Sequence, residues 1–319
     1  MKVMLTGGTG TVGLAVAEHL LREGIEVVVL ASTPAPELVE RSLRQVSSEV
    51  EFVEGDVRDR ERLRDVMRSR AIDSVVHGAA VTPDESREKT RPWQVLDVNC
   101  VGAVTVAEAF GQECTGRFVH LGSIAAYGAA SAQLPLLSED AGQEAPVNLY
   151  EISKLAGEQA VLRVADLLGL TAVSLRLGDV FGRWERSSAD RDATSAPFQT
   201  LQLARRGGVA RLPRSGHKAW IYTVDVARAV FAALTADSLP DRVVNVSSPF
   251  VWSVADWCDL LQEEFPGFRY VIDPNSPNVA LFGDNAAMAL DRAERIGFVA
   301  RYDLPAAFRD YVEWTRAAA

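Results

Sequence analysis

Tyr150-Glu151-Ile152-Ser153-Lys154 sets a phenol and an amine at i and i+4, on one face of a helix. A phenol ordinarily has a pKa of about 10 and is a poor base at neutral pH. An ammonium beside it stabilises the phenolate. Such a pair can take or give a carbinol proton while hydride moves to or from a nicotinamide. Alone, the same spacing also suits an amphipathic helix with a surface lysine. A third group stands at the end of the apolar run Phe118-Val119-His120-Leu121-Gly122-Ser123. Ser123 there can hydrogen-bond the reacting oxygen or merely cap a turn.

The elements that must position these groups read as repeated βα units. Strands are expected at Val3–Thr6, Ile25–Leu30, Val50–Val53, Ser74–Val76, Arg117–Leu121 and Ala172–Leu177. Helices are expected at Val12–Arg22, Glu37–Gln45, Arg60–Arg68, Trp93–Phe110 and Leu149–Leu168. The strands are continuous apolar runs, as when helices cover both faces of a parallel sheet. The fold class is therefore α/β, a doubly wound Rossmann sheet. It is expected to occupy residues 1–178, with a smaller substrate-binding α/β region over 179–319. A segment near 220–247 is expected to return to the main sheet. The later region carries a polar stretch at 182–196 and short helices near 198–206, 224–235, 253–264, 284–295 and 305–316.

Gly7-x-x-Gly10-x-x-Gly13 falls between the first strand and the first helix. Gly7 suits a tight turn, Gly10 a close approach by a diphosphate, and Gly13 tight packing of the helix. The N–H groups of Thr11 and Val12 then open a helix whose positive end faces the phosphates. The second strand ends Leu30-Ala31-Ser32-Thr33, without the acid that bonds a ribose 2′-hydroxyl. Ser32, Thr33, Arg41 or Arg44 can instead accept a 2′-phosphate, which favours NADP over NAD. Asp56 and Val57, after the third strand, suit an adenine ring, although Asp56 equally suits a helix N-cap.

Together these stretches resemble the extended short-chain dehydrogenase/reductases, also called the NAD-dependent epimerase/dehydratase family. The resemblance runs from residue 3 to about residue 230. Its further motifs are His77-Gly78-Ala79-Ala80, Asp97-Val98-Asn99, Ser123 through Tyr127-Gly128, Arg176 through Gly182, and Ala219 through Ala227. It implies Tyr150 as acid/base, Lys154 as its partner and ribose ligand, and Ser123 as the group orienting the substrate oxygen. It further implies that Gly78, Ala79 and Ala80 line the cofactor and that Asn99 holds the active-site backbone. Thr82, Ser123, Asp179 and Lys218 are the expected substrate contacts, and the two long helices an expected homodimer interface.

Two departures bear on substrate. Ser123 is followed by Ile124-Ala125, which cannot move a proton, against sugar dehydratase chemistry. Asp179 and Lys218 stand where nucleotide-sugar epimerases carry Asn and Arg. A carboxylate facing a diphosphate would repel it, and lysine lacks the planar fork of arginine. Phe181, Trp184 and Trp220 could instead line an apolar pocket. The reading is an NADP-preferring ketone reductase or secondary alcohol dehydrogenase. The alternatives are a nucleotide-sugar 4-epimerase with tightly bound NAD and a non-catalytic NADP-sensing binding protein.

The formal net charge of −10, with no basic block, speaks against nucleic acid or anionic membranes as partners. Cys100, Cys114 and Cys258 form no CxxC pair, and the four histidines no ligand spacing, so no metal is expected. A cytoplasmic protein with a small-molecule substrate fits these features.

Overall fold

The computed structural model describes residues 1–140, 142, 144–186, 192 and 194–317. Part of the polar stretch at 182–196 therefore lies outside the described residues. Seven parallel strands form the main sheet. They are β1 (Lys2–Thr6), β2 (Glu26–Ala31), β3 (Val50–Glu54), β4 (Ser74–His77), β5 (Arg117–Ser123), β6 (Thr171–Leu177) and β7 (Val243–Val246). Their order is β7-β6-β5-β4-β1-β2-β3. Strand β7 pairs with β6 from Val243 opposite Ser174 to Val246 opposite Leu177, so the late segment does rejoin the sheet.

Both faces of the sheet are buried, which is why its strands are apolar throughout. Val3, Leu5, Val27 and Val29 point to the face covered by the Thr11–Arg22 and Thr223–Thr235 helices. Met4, Val28 and Leu30 point to the other, covered by Arg60–Ser69, Ala103–Glu113 and Leu149–Leu168. A third core lies outside the sheet. There Phe181 is ringed by Trp220, Trp252 and Trp257, with centroids 5.8, 5.3 and 5.6 Å away.

The long helix expected over Trp93–Phe110 is a run of three pieces, Pro92–Leu96, a wider-wound turn at Asp97–Gly102, and Ala103–Glu113. At this turn the backbone of Asn99 meets Gly157 of the Leu149–Leu168 helix so closely that a Cβ at 157 would lie 2.6 Å from the Asn99 carbonyl oxygen. Residues 284–290 are not helical as expected; only Asp291–Arg295 is. Ala287–Met288 instead pairs with Leu136–Leu137, and Asn285 turns inward to the site. Among the described residues no helix is long and apolar enough to cross a membrane.

Candidate active site

The order of the sheet reverses between β1 and β4, the place where doubly wound sheets bind ligands at their carboxyl edge. Gly7 has φ +65°, and a Cβ on it would lie 2.6 Å from the Cα of Ala79. Only glycine allows the two loops to approach in this way. A Cβ on Gly10, by contrast, would meet nothing nearer than the Gly7 carbonyl oxygen at 3.2 Å. The space in front of Gly10 is open to a ligand. Gly10 is also the N-cap of the Thr11–Arg22 helix, where no side chain caps the free N–H groups and no acid stands in the first turn. The Arg60–Ser69 and Leu149–Leu168 helices, capped by Asp59 and Asn148, lack such an open end. An uncapped helix start beside an open backbone is suited to a phosphate.

One cavity of about 940 Å³ spreads from this turn across the carboxyl edge of the sheet. Gly7, Gly10, Thr11, Val12 and Gly13 line one end, with Ser32, Asp56 and Val57 beside them. Gly78, Ala79, Ala80 and Thr82 line the middle, and Ser123, Tyr150 and Lys154 the floor. Asp179, Lys218 and Trp220 line the far wall. Asn99 does not line the cavity and is no direct cofactor contact, but it holds the backbone behind the wall as the resemblance implies. It is buried behind, where its carboxamide accepts from the Val81 N–H at 2.7 Å and donates to the Val81 carbonyl at 2.9 Å. It also donates to Ser153 Oγ at 3.0 Å, tying the loop after β4 to the Tyr150 helix.

Lys154 is buried, and its ammonium donates to the Leu121 carbonyl at 2.7 Å. Burial lowers its pKa to about 8, against the opposing pull of Glu158 one turn on. Glu158 accepts from Arg176 at 2.7 Å and from Ser174 at 2.9 Å, and Arg176 lies 4.6 Å above the Tyr127 ring. Sequence reading passed over this pair. A charged Arg176 near the end of an otherwise apolar strand was the available signal, since a buried charge needs a partner. Ser123 Oγ accepts from the Ala125 N–H at 3.1 Å, so it does cap a turn. Behind the floor, His77 and His120 stack with centroids 5.6 Å apart, and burial pushes the His77 ring down to about 3.

Several expectations are corrected here. Asp56 caps no helix; its carboxylate accepts from Arg58 Nη2 at 2.6 Å, which lowers its pKa, and Asp59 is the cap. Arg41 and Arg44 pair with Glu37 and Glu40, at 2.8 and 3.5 Å, and stand outside the cavity wall. Arg58 is in the wall, but Asp56 and Asp97 hold it at 2.6 and 2.7 Å. The end of β2 thus offers hydroxyls and no uncommitted cation to a 2′-phosphate. Asp179 does not present a bare carboxylate, because Lys218 and Asn285 donate to its two oxygens at 2.9 and 2.5 Å. The expected repulsion of a diphosphate is neutralised within the wall. Phe181 is core and Trp184 packs on Trp314 at 5.5 Å, which leaves Trp220 as the one of the three aromatics facing the cavity.

A doubly wound sheet with a phosphate-ready turn and a Ser-Tyr-Lys floor defines a nicotinamide-dependent enzyme of the short-chain dehydrogenase/reductase kind. The family model described as NAD dependent epimerase/dehydratase matches residues 3–247, and the chain belongs to that family. It is 31% identical to the UDP-glucose 4-epimerase of Streptomyces lividans over 244 residues, covering 73% of this chain and 71% of that one. A crystal structure of the Stenotrophomonas maltophila UDP-glucose-4-epimerase with bound NAD and formylated UDP-arabinopyranose superposes with a TM-score of 0.83. That match is at 25% identity and covers 99% of this chain and 98% of that one. The Thermus thermophilus UDP-glucose 4-epimerase in complex with NAD has the same fold, with a TM-score of 0.81, 23% identity and full coverage of both chains.

Replacing Asn99 by leucine would strand the buried Val81 N–H and carbonyl. Asn99→Leu is expected to lower the unfolding free energy by about 2–4 kcal/mol in urea melts. An unchanged midpoint would show that the carboxamide does not hold the loop.

Proposed function

We propose that the enzyme is an NAD-dependent epimerase that inverts C4 of a nucleoside-diphosphate sugar, with UDP-glucose and UDP-galactose as its substrate pair. The observation that carries this reading is the continuity of one cavity. It joins an uncapped helix end to a charge-neutral polar wall, with the Ser-Tyr-Lys floor between them. That arrangement accommodates a dinucleotide and a nucleotide sugar at the same time. The relatives named as UDP-glucose 4-epimerases support the same substrate class. The preference for NADP rested on the missing acid after β2, with Ser32, Thr33, Arg41 or Arg44 to meet a 2′-phosphate, and that for a free ketone on Asp179 and Lys218. With the two arginines paired outside the wall and Asp179 neutralised, NAD is the better cofactor.

Gly10, Thr11 and Val12 would hold the diphosphate of NAD, Asp56 and Val57 its adenine, and Ser32 its ribose. Bound NAD would supply the hydride acceptor and, in its reduced form, the hydride donor for the sugar C4. Tyr150 takes the proton of the C4 hydroxyl and gives it back once the ketone has turned its other face. Ser123 donates a hydrogen bond to the same oxygen. Lys154 would supply positive charge to the phenolate and hold the nicotinamide ribose. Thr82, Asp179 and Lys218 bound the space of the sugar nucleotide. Residues 1–178 form the dinucleotide half in this reading, and 179–319 the substrate half apart from β7.

Purified protein is expected to interconvert UDP-glucose and UDP-galactose with no added dinucleotide. Tyr150→Phe should lower kcat by about 10²–10⁴-fold with KM little changed. Reduction of free ketones by NADPH without sugar epimerisation would contradict the proposal. The Lys154 ammonium is lost as pH rises through about 8, so kcat/KM should fall above that value. A profile flat well above it would remove Lys154 charge from the mechanism. Trp93, Leu96, Val101 and Ile152 are exposed on the two adjacent long helices, and we assign that face to a homodimer. Sedimentation equilibrium showing only monomer at micromolar concentration would contradict the assignment.

A further inference from the structure

Arg186 stands apart from the other buried arginines of the substrate side. Its Nη2 donates to the Thr9 carbonyl at 2.5 Å, in the turn that precedes the uncapped helix. The side chain is half-buried and lines the cavity. Among the described residues no carboxylate pairs with it. Burial disfavours the cations of Arg176, Arg183 and Arg186 alike. In Arg176 and Arg183 a carboxylate, Glu158 and Asp310 respectively, more than reverses the shift. In Arg186 nothing does, and its pKa is lowered. A guanidinium half out of water with only a peptide carbonyl for a partner is an unsatisfied cation.

The backbone that carries it is held to that position. Arg183 forks onto Asp310 at 2.8 and 2.6 Å. Trp184 Nε1 donates to Glu18 of the first helix at 2.7 Å. Glu185 is buried and accepts from the Ser195 N–H and hydroxyl, both at 2.7 Å. Trp184 also has φ +69°, a left-handed conformation that is rare for a bulky residue. Such outliers persist only where the surroundings impose them, and they gather at ligand clamps. Three consecutive anchors and one strained residue thus deliver a single unpaired cation to the glycine turn from the opposite side of the cavity.

We propose that Arg186 clamps the dinucleotide diphosphate against the glycine turn, supplying from the substrate half the charge that the turn itself lacks. The inference rests on the reading of this site as an NAD site. Backbone N–H groups and a helix end give partial charge, whereas a guanidinium adds a full one and a second, opposed set of donors. Because the clamp comes from the segment after Gly182, bound dinucleotide would also fasten the two halves of the chain together. A dinucleotide held from both sides is one that an epimerase can keep from turnover to turnover.

The test is titration of the purified protein, freed of any dinucleotide it carries, with NADH, with ADP-ribose, with adenosine and with UDP, comparing the parent with Arg186→Met, Arg186→Gln and Arg186→Lys. Loss of a charge-assisted contact should weaken NADH and ADP-ribose by about 10–100-fold in the Met and Gln variants. Adenosine and UDP should bind as before, Lys should recover most of the affinity, and rising salt should weaken the parent more than Arg186→Met. Melting temperatures identify any variant that fails to fold, and the Gln–Lys comparison then decides. Equal NADH affinity in all the folded proteins would overturn the clamp. So would a loss confined to UDP, which would give the cation to the substrate. A parent that binds UDP but neither NADH nor ADP-ribose would overturn the NAD reading of the site, and the clamp with it. This outcome is distinct from a parent that binds NADH with Arg186 indifferent.

Discussion

Keeping one lysine ammonium charged in a buried floor is the constraint around which this site is arranged. Lys154 has the Leu121 carbonyl for a direct partner and Glu158 a turn away for long-range support. Leu121 stands near the carboxyl end of β5, so the bond fastens the Leu149–Leu168 helix to the sheet where the cavity opens. Glu158 cannot simply float in the interior, and Arg176 on β6 answers it. Arg176 in turn lies on the Tyr127 ring, whose hydroxyl donates to Asn245 of β7 at 2.8 Å. The chain of compensation therefore runs from the catalytic floor to the edge strand that returns late in the sequence. Removing any one member leaves an uncompensated buried group, which costs more than the contact itself contributed.

Charge is handled differently at the two ends of the cavity. At the far wall, Asp179, Lys218 and Asn285 satisfy one another and leave a nearly neutral surface. At the glycine turn, the helix start is uncapped and Arg186 is unpaired among the described residues. At the adenine end, Asp56 and Asp97 already occupy Arg58. Free positive potential is thus concentrated over the turn, where a diphosphate would lie, and is absent where a 2′-phosphate would lie. This distribution is the basis on which NAD rather than NADP is proposed.

Local rules carried much of the reading. Apolar runs bounded by glycines gave strands within a residue or two of those observed, and the Leu149–Leu168 helix begins and ends where expected. Tyr150 and Lys154, four positions apart, and Ser123, at a strand end, all line the one cavity. What escaped depended on partners distant in sequence. Asp179 looked repulsive because Lys218 and Asn285 lie 39 and 106 positions away. Asn285 itself fell in a stretch read as helix. Arg41 and Arg44 looked available because their i−4 acids were not weighed against them. Asn99 braces the cavity wall from behind through Val81 and Ser153, which lie 18 and 54 positions away.

In the proposed reaction hydride leaves and returns to the same sugar carbon without release of the dinucleotide. Incubating the enzyme with UDP-glucose deuterated at C4, with no dinucleotide added, tests this directly. Mass and NMR spectra of the UDP-galactose formed should show the deuterium still on C4, with none in solvent. Label found in free dinucleotide, or replaced by solvent hydrogen, would contradict the account.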